Sequence, residues 1–283
     1  MKKYIILMKL RVVELLLVTT VPALFLATGG MPDIKLTILT LLGGTLAAGG
    51  ANAFNMVIES DSDQLMKRTE NRPIATGEIS RKNGLIFAFL LSSISLIIFY
   101  LFTTKLATLL TAIAIIFYVL GYTVALKKHT SQNIVWGGIA GCMPALIGQA
   151  AVTNSLTATS WLFFLVIFFW TPPHFWALAV RYKDDYAAAK IPMLPAVAPI
   201  KSVITQMWLH SSAMSVVAIL LITSAALPSW TLLLTIALIT GWKWQLIKLS
   251  RQPSEINASR LFQASIVFLS IYSLLLVAGV LLT

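Results

Sequence analysis

Apolar residues run along the chain in long blocks broken by short polar connections. At roughly 20 residues per bilayer crossing, the blocks predict nine helical spans, near residues 12–29, 36–57, 84–103, 106–126, 133–152, 160–181, 208–227, 230–247 and 261–281. The connections alternate in character. Those on one side hold only a few residues, whereas on the other the second and sixth blocks are followed by the long segments 58–83 and 182–207. Loops longer than about 15 residues between packed elements are usually functional, so chemistry is expected in these two. The chain begins MKKYIILMKLRVVELLL, which has the charged start and apolar run of a signal peptide. Glu14 interrupts that start and the run is long enough to cross, so it reads as an uncleaved first span.

Composition agrees. The 283 residues are 58% hydrophobic and 11% charged, with a mean hydropathy of +0.86, far outside the soluble range. The expected fold is an all-α integral membrane protein, a bundle of about nine transmembrane helices forming one domain over residues 1–283, with two long cytoplasmic loops that carry acidic motifs. A net charge of +11 in a soluble protein would suggest nucleic acid. Here the basic residues lie in the connections, where anionic headgroups attract them, and no nucleic-acid partner is expected. Lys2, Lys3, Lys9 and Arg11 place the amino terminus in the cytoplasm. In that orientation only Lys35 and Lys105, of 21 Lys and Arg residues, fall outside. The lone cysteine, Cys142, permits no intrachain disulfide, and His129, His174 and His210 lack zinc-site spacing.

The candidate chemistry lies in NAFNMVIESDSDQLMKRTENRP, residues 52–73. The chain has only ten acidic side chains, and Glu59, Asp61 and Asp63 are three of them. If the second span stays helical through its end, Asn52, Asn55, Glu59 and Asp63 share one face. Like charges so placed repel unless a divalent cation joins them, and oxygen-only ligands suit Mg²⁺. Asp61 points elsewhere, toward a second ion or the loop. The plainer alternative is a solvated helix end whose acids balance Lys67, Arg68 and Arg72.

The second long segment, within TPPHFWALAVRYKDDYAAAKIPMLPAV, residues 171–197, favours the first alternative. His174, Arg181 and Asp185 share a helical face there, with Asp184 and Tyr186 beside them and Lys190 a turn beyond. Acids for Mg²⁺ and bases for an anion are what a diphosphate needs, and a site at the lipid boundary implies a hydrophobic tail. Pro172 and Pro173 predict a break in the sixth span that opens a pocket. Trp161, Phe168, Phe169, Trp170, Phe175 and Trp176 either line that pocket, where ring faces stabilise an allylic cation, or face lipid. His174 adjoins the break as a ligand or as a packing residue. GGTLAAGGANAF and GGIAGCMPALIG mark close helix contacts.

These residues resemble the UbiA superfamily of intramembrane prenyltransferases. Its first acidic motif, N-x-x-x-D-x-x-x-D after the second of nine helices, falls on Asn55, Glu59 and Asp63. LMKRTENRPIATG, NIVWGGIAGCMPALIG, WTPPHFWALAVRYKDDY and IPMLP make the chain similar to the members that farnesylate haem. That resemblance implies transfer of the farnesyl group of farnesyl diphosphate to a vinyl group of protohaem IX (haem b), with water added, to give haem O and diphosphate. It also implies Mg²⁺ as cofactor, a site on the cytoplasmic side of the inner (plasma) membrane, and contact with haem A synthase or terminal-oxidase assembly.

By the same resemblance Asn55, Glu59 and Asp63 hold Mg²⁺ and diphosphate, assisted by Asp61. Lys67, Arg68, Arg72 and Arg181 offset the phosphate charge. Asp184, Asp185 and Tyr186 form the second acidic site, with Asp185 a further metal ligand, and His174 is a contact to haem. Glu59 departs from the family's Asp, and Lys190 stands where a small residue is expected. Ionising an allylic diphosphate needs no protein nucleophile, in keeping with the lack of a Ser or Cys arrangement. Three other functions fit parts of the pattern: prenyl transfer to a quinone precursor, a cation-coupled transporter, and non-catalytic haem delivery. A transporter's coupling acids belong near the midplane, whereas these lie at the cytoplasmic ends of the spans.

Overall fold

The computed structural model describes residues 2–283, the side chains at 11, 12 and 15 excepted. The side chain of Arg11, one of the four basic residues assigned to the amino-terminal end, therefore lies outside the described residues. Among the described residues every regular element is a helix. Short α1 (Lys2–Leu7) precedes α2 (Leu10–Thr28), α3 (Ile34–Ile58), the single turn α4 (Ser60–Asp63), α5 (Arg81–Phe102) and α6, which is α-helical over Lys105–Ile116 and π-helical over Phe117–Leu126. Then follow α7 (Asn133–Thr153), α8 (Ala158–Arg181), the short α9 (Lys183–Ala188) and α10 (Leu194–Val197), α11 (Ile200–Ser224), α12 (Ser229–Arg251) and α13 (Glu255–Leu281). Among the described residues eight helices are long and apolar enough to cross a membrane, and α2 adds a shorter apolar stretch, Leu16–Thr28. The protein is a multi-pass membrane bundle.

Its outside is oily and its inside partly polar. Ile38, Phe89, Ile97, Leu233 and Leu274 are exposed, while Thr40, Ser95, Thr111, Ser211 and Thr235 are buried. Lipid removes the hydrophobic drive for helix association, so close contact and internal hydrogen bonds hold the helices together. A Cβ on Gly50 of α3 would come within 2.4 Å of Ser92 Oγ on α5, and one on Gly148 of α7 within 2.7 Å of Ala23 Cβ on α2. Ser95 Oγ donates to the Gly43 carbonyl at 2.7 Å, tying α5 to α3.

Two expectations are corrected. The second long connection is shorter than the apolar blocks suggest, because α11 starts at Ile200 rather than near 208. Lys201, Thr205 and Gln206 lower the hydropathy of its first turns without stopping the helix. Pro199, at its N-cap, lacks only an N–H that the helix start leaves unpaired anyway. The other correction concerns α8, which runs unbroken through Pro172 and Pro173. The prolines cost the carbonyls of Phe168 and Phe169 their amide donors, a loss membrane helices tolerate when neighbours pack around them.

Candidate active site

The join between α3 and α4 keeps the helical spacing even though regular α3 ends at Ile58. Glu59 has φ −91 and ψ 3, yet its N–H donates to the Asn55 carbonyl at 2.9 Å. Its own carbonyl accepts from the Asp63 N–H at 2.8 Å. Asn52, Asn55, Glu59 and Asp63 are all buried. The first three line a cavity of about 330 Å³ that continues among α2, α3, α6, α7 and α8 past Leu16, Ala47, Ile115, Pro144 and Ile167. Asp63 stands just behind, gripping Arg72, whose Nη1 donates to both carboxylate oxygens at 2.8 and 2.7 Å. Arg72 itself lines the cavity. Asp61 is 76% exposed and pairs with Arg81; of its two sequence-level alternatives, it takes the loop.

Among the described residues four basic ones, Lys9, Arg68, Arg72 and Lys127, line the cavity, with Glu59 the one acid on its wall. The Lys127 ammonium lies 2.5 Å from Glu59 Oε1 as a close ion pair, while Oε2 is buried with no hydrogen-bond partner. Burial alone would raise the Glu59 pKa, but the charges of Lys127, Lys9 and Arg72 outweigh it and hold the carboxyl below its ordinary value. Lys9 is pushed well below the ordinary lysine value, first by burial and then by Arg72. Glu59 and Asp63 engage Lys127 and Arg72, which leaves Arg68 on the wall without an acid partner among the described residues.

The π-helical end of α6 arranges the opposite wall. The Lys127 N–H donates to the Tyr122 carbonyl at 2.9 Å, and Thr123 Oγ1 donates to the Tyr118 carbonyl at 2.9 Å, both five residues back. In an α-helix, residues five apart lie on different faces. Here the wider turn carries Tyr118, Tyr122 and Lys127 to the cavity together. The Tyr118 hydroxyl donates to Asn52 Oδ1 at 3.2 Å, and Asn55 Nδ2 donates to Thr123 Oγ1 at 3.2 Å. The Tyr122 ring fits only because residue 137 is glycine, where a Cβ would come within 2.2 Å of it.

The second long segment reaches the cavity through Tyr186 and Met193. Arg68 stands 5.8 Å over the Tyr182 ring and beside Tyr186, so it links the two segments. Arg181 lies 5.6 Å over the same Tyr182 ring and is exposed. Asp184 and Lys67 are exposed and Asp185 is half-buried, and none of the three is on the cavity wall. His174 is buried, with Nδ1 2.6 Å from Ser265 Oγ. Its ring stacks on Trp170 at 4.2 Å and Phe262 at 4.7 Å. Of the six aromatics expected around it, Trp170 and Phe175 reach the cavity, whereas Trp161 is 46% exposed. Thus Asn55, Glu59, Arg68, Arg72 and Tyr186 come together, and Asp61, Lys67, Arg181, Asp184, Asp185 and His174 stay off the wall. Lys9, Tyr118, Tyr122 and Lys127 were not legible as site residues; the one available signal was a lysine pair at the inward end of the fourth apolar block.

The pattern of the UbiA prenyltransferase family matches residues 16–274. The chain belongs to this family. It is 46% identical over 278 residues to the protoheme IX farnesyltransferase of Streptomyces avermitilis, covering 95% of this chain and 90% of that one. Two solved structures share the UbiA fold at 16% identity. A digeranylgeranylglyceryl phosphate synthase superposes with a TM-score of 0.81 over 100% of this chain and 99% of that one. The UbiA homologue from Archaeoglobus fulgidus bound to DMAPP and Mg²⁺ superposes with a TM-score of 0.72 over 98% and 99%.

Proposed function

We propose that this UbiA-family protein transfers the farnesyl group of farnesyl diphosphate to a vinyl group of haem b, with water added, to give haem O and diphosphate. The carrying observation is the basic head of an apolar cavity: among the described residues Lys9, Arg68, Arg72 and Lys127 line it, while Glu59 and the adjoining Asp63 pair only with Lys127 and Arg72. A diphosphate on an isoprenoid tail is complementary to both ends. The choice of haem as acceptor rests on the name of the 46% identical relative.

In this reaction Arg68, Arg72 and Lys127 bind the diphosphate oxygens and stabilise the charge that grows on them as the allylic C–O bond breaks. Asp63, by gripping Arg72, holds that guanidinium in place. The residues fit Mg²⁺. Among the described residues Glu59 has a buried oxygen without a hydrogen-bond partner, and Asn55 Oδ1 accepts only from Lys9 Nζ. When bound, Mg²⁺ shields the diphosphate and improves it as a leaving group. Asp184 and Asp185, beside Tyr186, are the second acidic pair in this proposal. Tyr118, Tyr122 and Trp170 line the cavity, and aromatic rings there stabilise the allylic cation that forms at C1 as the diphosphate leaves. His174 is a positioning residue for haem, acting through Trp170, on which it stacks. With haem b and Mg²⁺ present, diphosphate release from farnesyl diphosphate is expected, and EDTA should abolish it. Release with a hydroxybenzoate but none with haem b would keep prenyl transfer and remove the haem reading.

The site faces the cytoplasm across the inner membrane in this proposal. Glu70 and Ala188 are exposed on the two long segments, and Cys142 is buried. Thiols introduced by Glu70→Cys and Ala188→Cys in a Cys142→Ala background should react with an impermeant maleimide only in inside-out vesicles. Reaction from the opposite side alone would reverse the topology.

A further inference from the structure

We infer that Lys9, carried into the cavity by the amino-terminal segment, is a diphosphate-binding residue of this site; the inference rests on the functional reading above. By sequence Lys9 is one of several basic residues that fix topology, and such lysines keep their ammonium in headgroup water. Lys2 and Lys3 are exposed in this way. Lys9 instead lines the cavity.

A built structure puts it there. Its backbone is left-handed, φ 51 and ψ 54, a conformation uncommon for a residue with a Cβ and persistent only where its surroundings impose it. The surroundings are specific. Leu7 is fully buried, and Tyr4 meets Phe87 edge-on at 5.0 Å. Lys3 pairs with Glu78 at 3.2 Å, and Asn52 Nδ2 donates to the Met8 carbonyl at 3.0 Å. The Met8 side chain fills the space at Gly49, where a Cβ would come within 2.7 Å of its Cε. The turn fixed by these contacts aims Lys9 Nζ at Asn55 Oδ1, to which it donates at 2.6 Å.

That amide is neutral. The two buried acids nearby are already engaged, Glu59 by Lys127 and Asp63 by Arg72. A part-buried lysine whose direct partner is a neutral amide is well placed to receive an anion. The anion proposed here carries several charges and its oxygens belong where Asn55 and Glu59 meet the bases. Lys9 therefore releases the Asn55 oxygen and turns to a phosphate oxygen, so that one movement frees an oxygen ligand and supplies a counter-charge.

The test uses the full-length protein in nanodiscs and the binding of inorganic diphosphate with Mg²⁺ by calorimetry. A hydrogen bond to a charged group corresponds to about a tenfold or greater change in affinity. Lys9→Gln is thus expected to weaken diphosphate binding about tenfold or more while haem b affinity stays within about twofold. Lys9→Arg should recover most of the loss, and Lys2→Gln should bind as wild type does. Unchanged diphosphate binding by Lys9→Gln overturns the inference alone. Parallel loss of haem and diphosphate binding, without recovery by Lys9→Arg, makes the residue structural and also overturns it. Wild type that binds no diphosphate overturns the functional reading together with this one.

Discussion

Glu59→Gln should lower turnover by roughly 10²–10³-fold, the scale on which a preorganised group that stabilises transition-state charge acts. The substitution preserves shape and removes the carboxylate whose Oε2 has no hydrogen-bond partner among the described residues. It also strands the Lys127 ammonium, which now lies 2.5 Å from Oε1, so the variant should be less stable as well. The two effects separate in a double variant. Adding Lys127→Met should restore thermal stability, because no buried charge is left alone, and should not restore turnover. Glu59→Asp should stay within about tenfold of wild type, since a carboxylate remains. Full activity in Glu59→Gln, measured as diphosphate release, would remove this residue from the metal site.

Asp63→Ala and Asp61→Ala should differ sharply, although the residues are two apart. Asp63 is 1% exposed and holds Arg72 through both oxygens. Truncating it leaves a largely buried guanidinium unpaired, at a cost of about 3 kcal/mol, and releases the Arg72 side chain from the cavity wall. Both the thermal midpoint and turnover should fall. Asp61 faces solvent and Arg81, and its loss should cost under about 1 kcal/mol. The sequence alone suggests an exposed Asp63 whose removal leaves stability intact; burial reverses that expectation. Equal losses at both positions would contradict the geometry.

What could be read from the sequence was local or periodic. Apolar blocks mark helices in a bilayer because each backbone must satisfy itself, and the block positions match α3, α5 and α7 closely. The start of α11 was misplaced because hydropathy reports the oily core, whereas a helix continues into the headgroup region until its backbone is stopped. Spacing placed Asn55, Glu59 and Asp63 on one face because positions four apart depend only on helix geometry. The same reasoning pointed Asp61 toward a second ion or the loop but could not say that Arg81 would pair with it.

The partners of the acids were beyond reach for another reason. Lys9 meets Asn55 across 46 positions, and Lys127 meets Glu59 from a different helix. Such meetings are set by the packing of whole helices. The π-helical turn that brings Lys127 to the wall lies in FYVLGYTVAL, an apolar run with no polar residue whose placement would distinguish a spacing of five from one of four. His174 shows the reverse limit. Its neighbours in sequence include Trp170 and Phe175, both of which do line the cavity, yet Ser265 and Phe262 from α13 hold the imidazole in the helix packing.

The account stands on a cation-rich cavity that ionises farnesyl diphosphate and passes the prenyl group to haem. The most direct test is mass spectrometry of the haem recovered after purified protein is incubated with haem b, farnesyl diphosphate and Mg²⁺. The predicted result is a product heavier than haem b by a farnesyl group plus a hydroxyl, absent when Mg²⁺ is chelated and strongly reduced in Glu59→Gln. Haem b recovered unchanged, while the same preparation farnesylates a hydroxybenzoate or leaves farnesyl diphosphate intact, would contradict it.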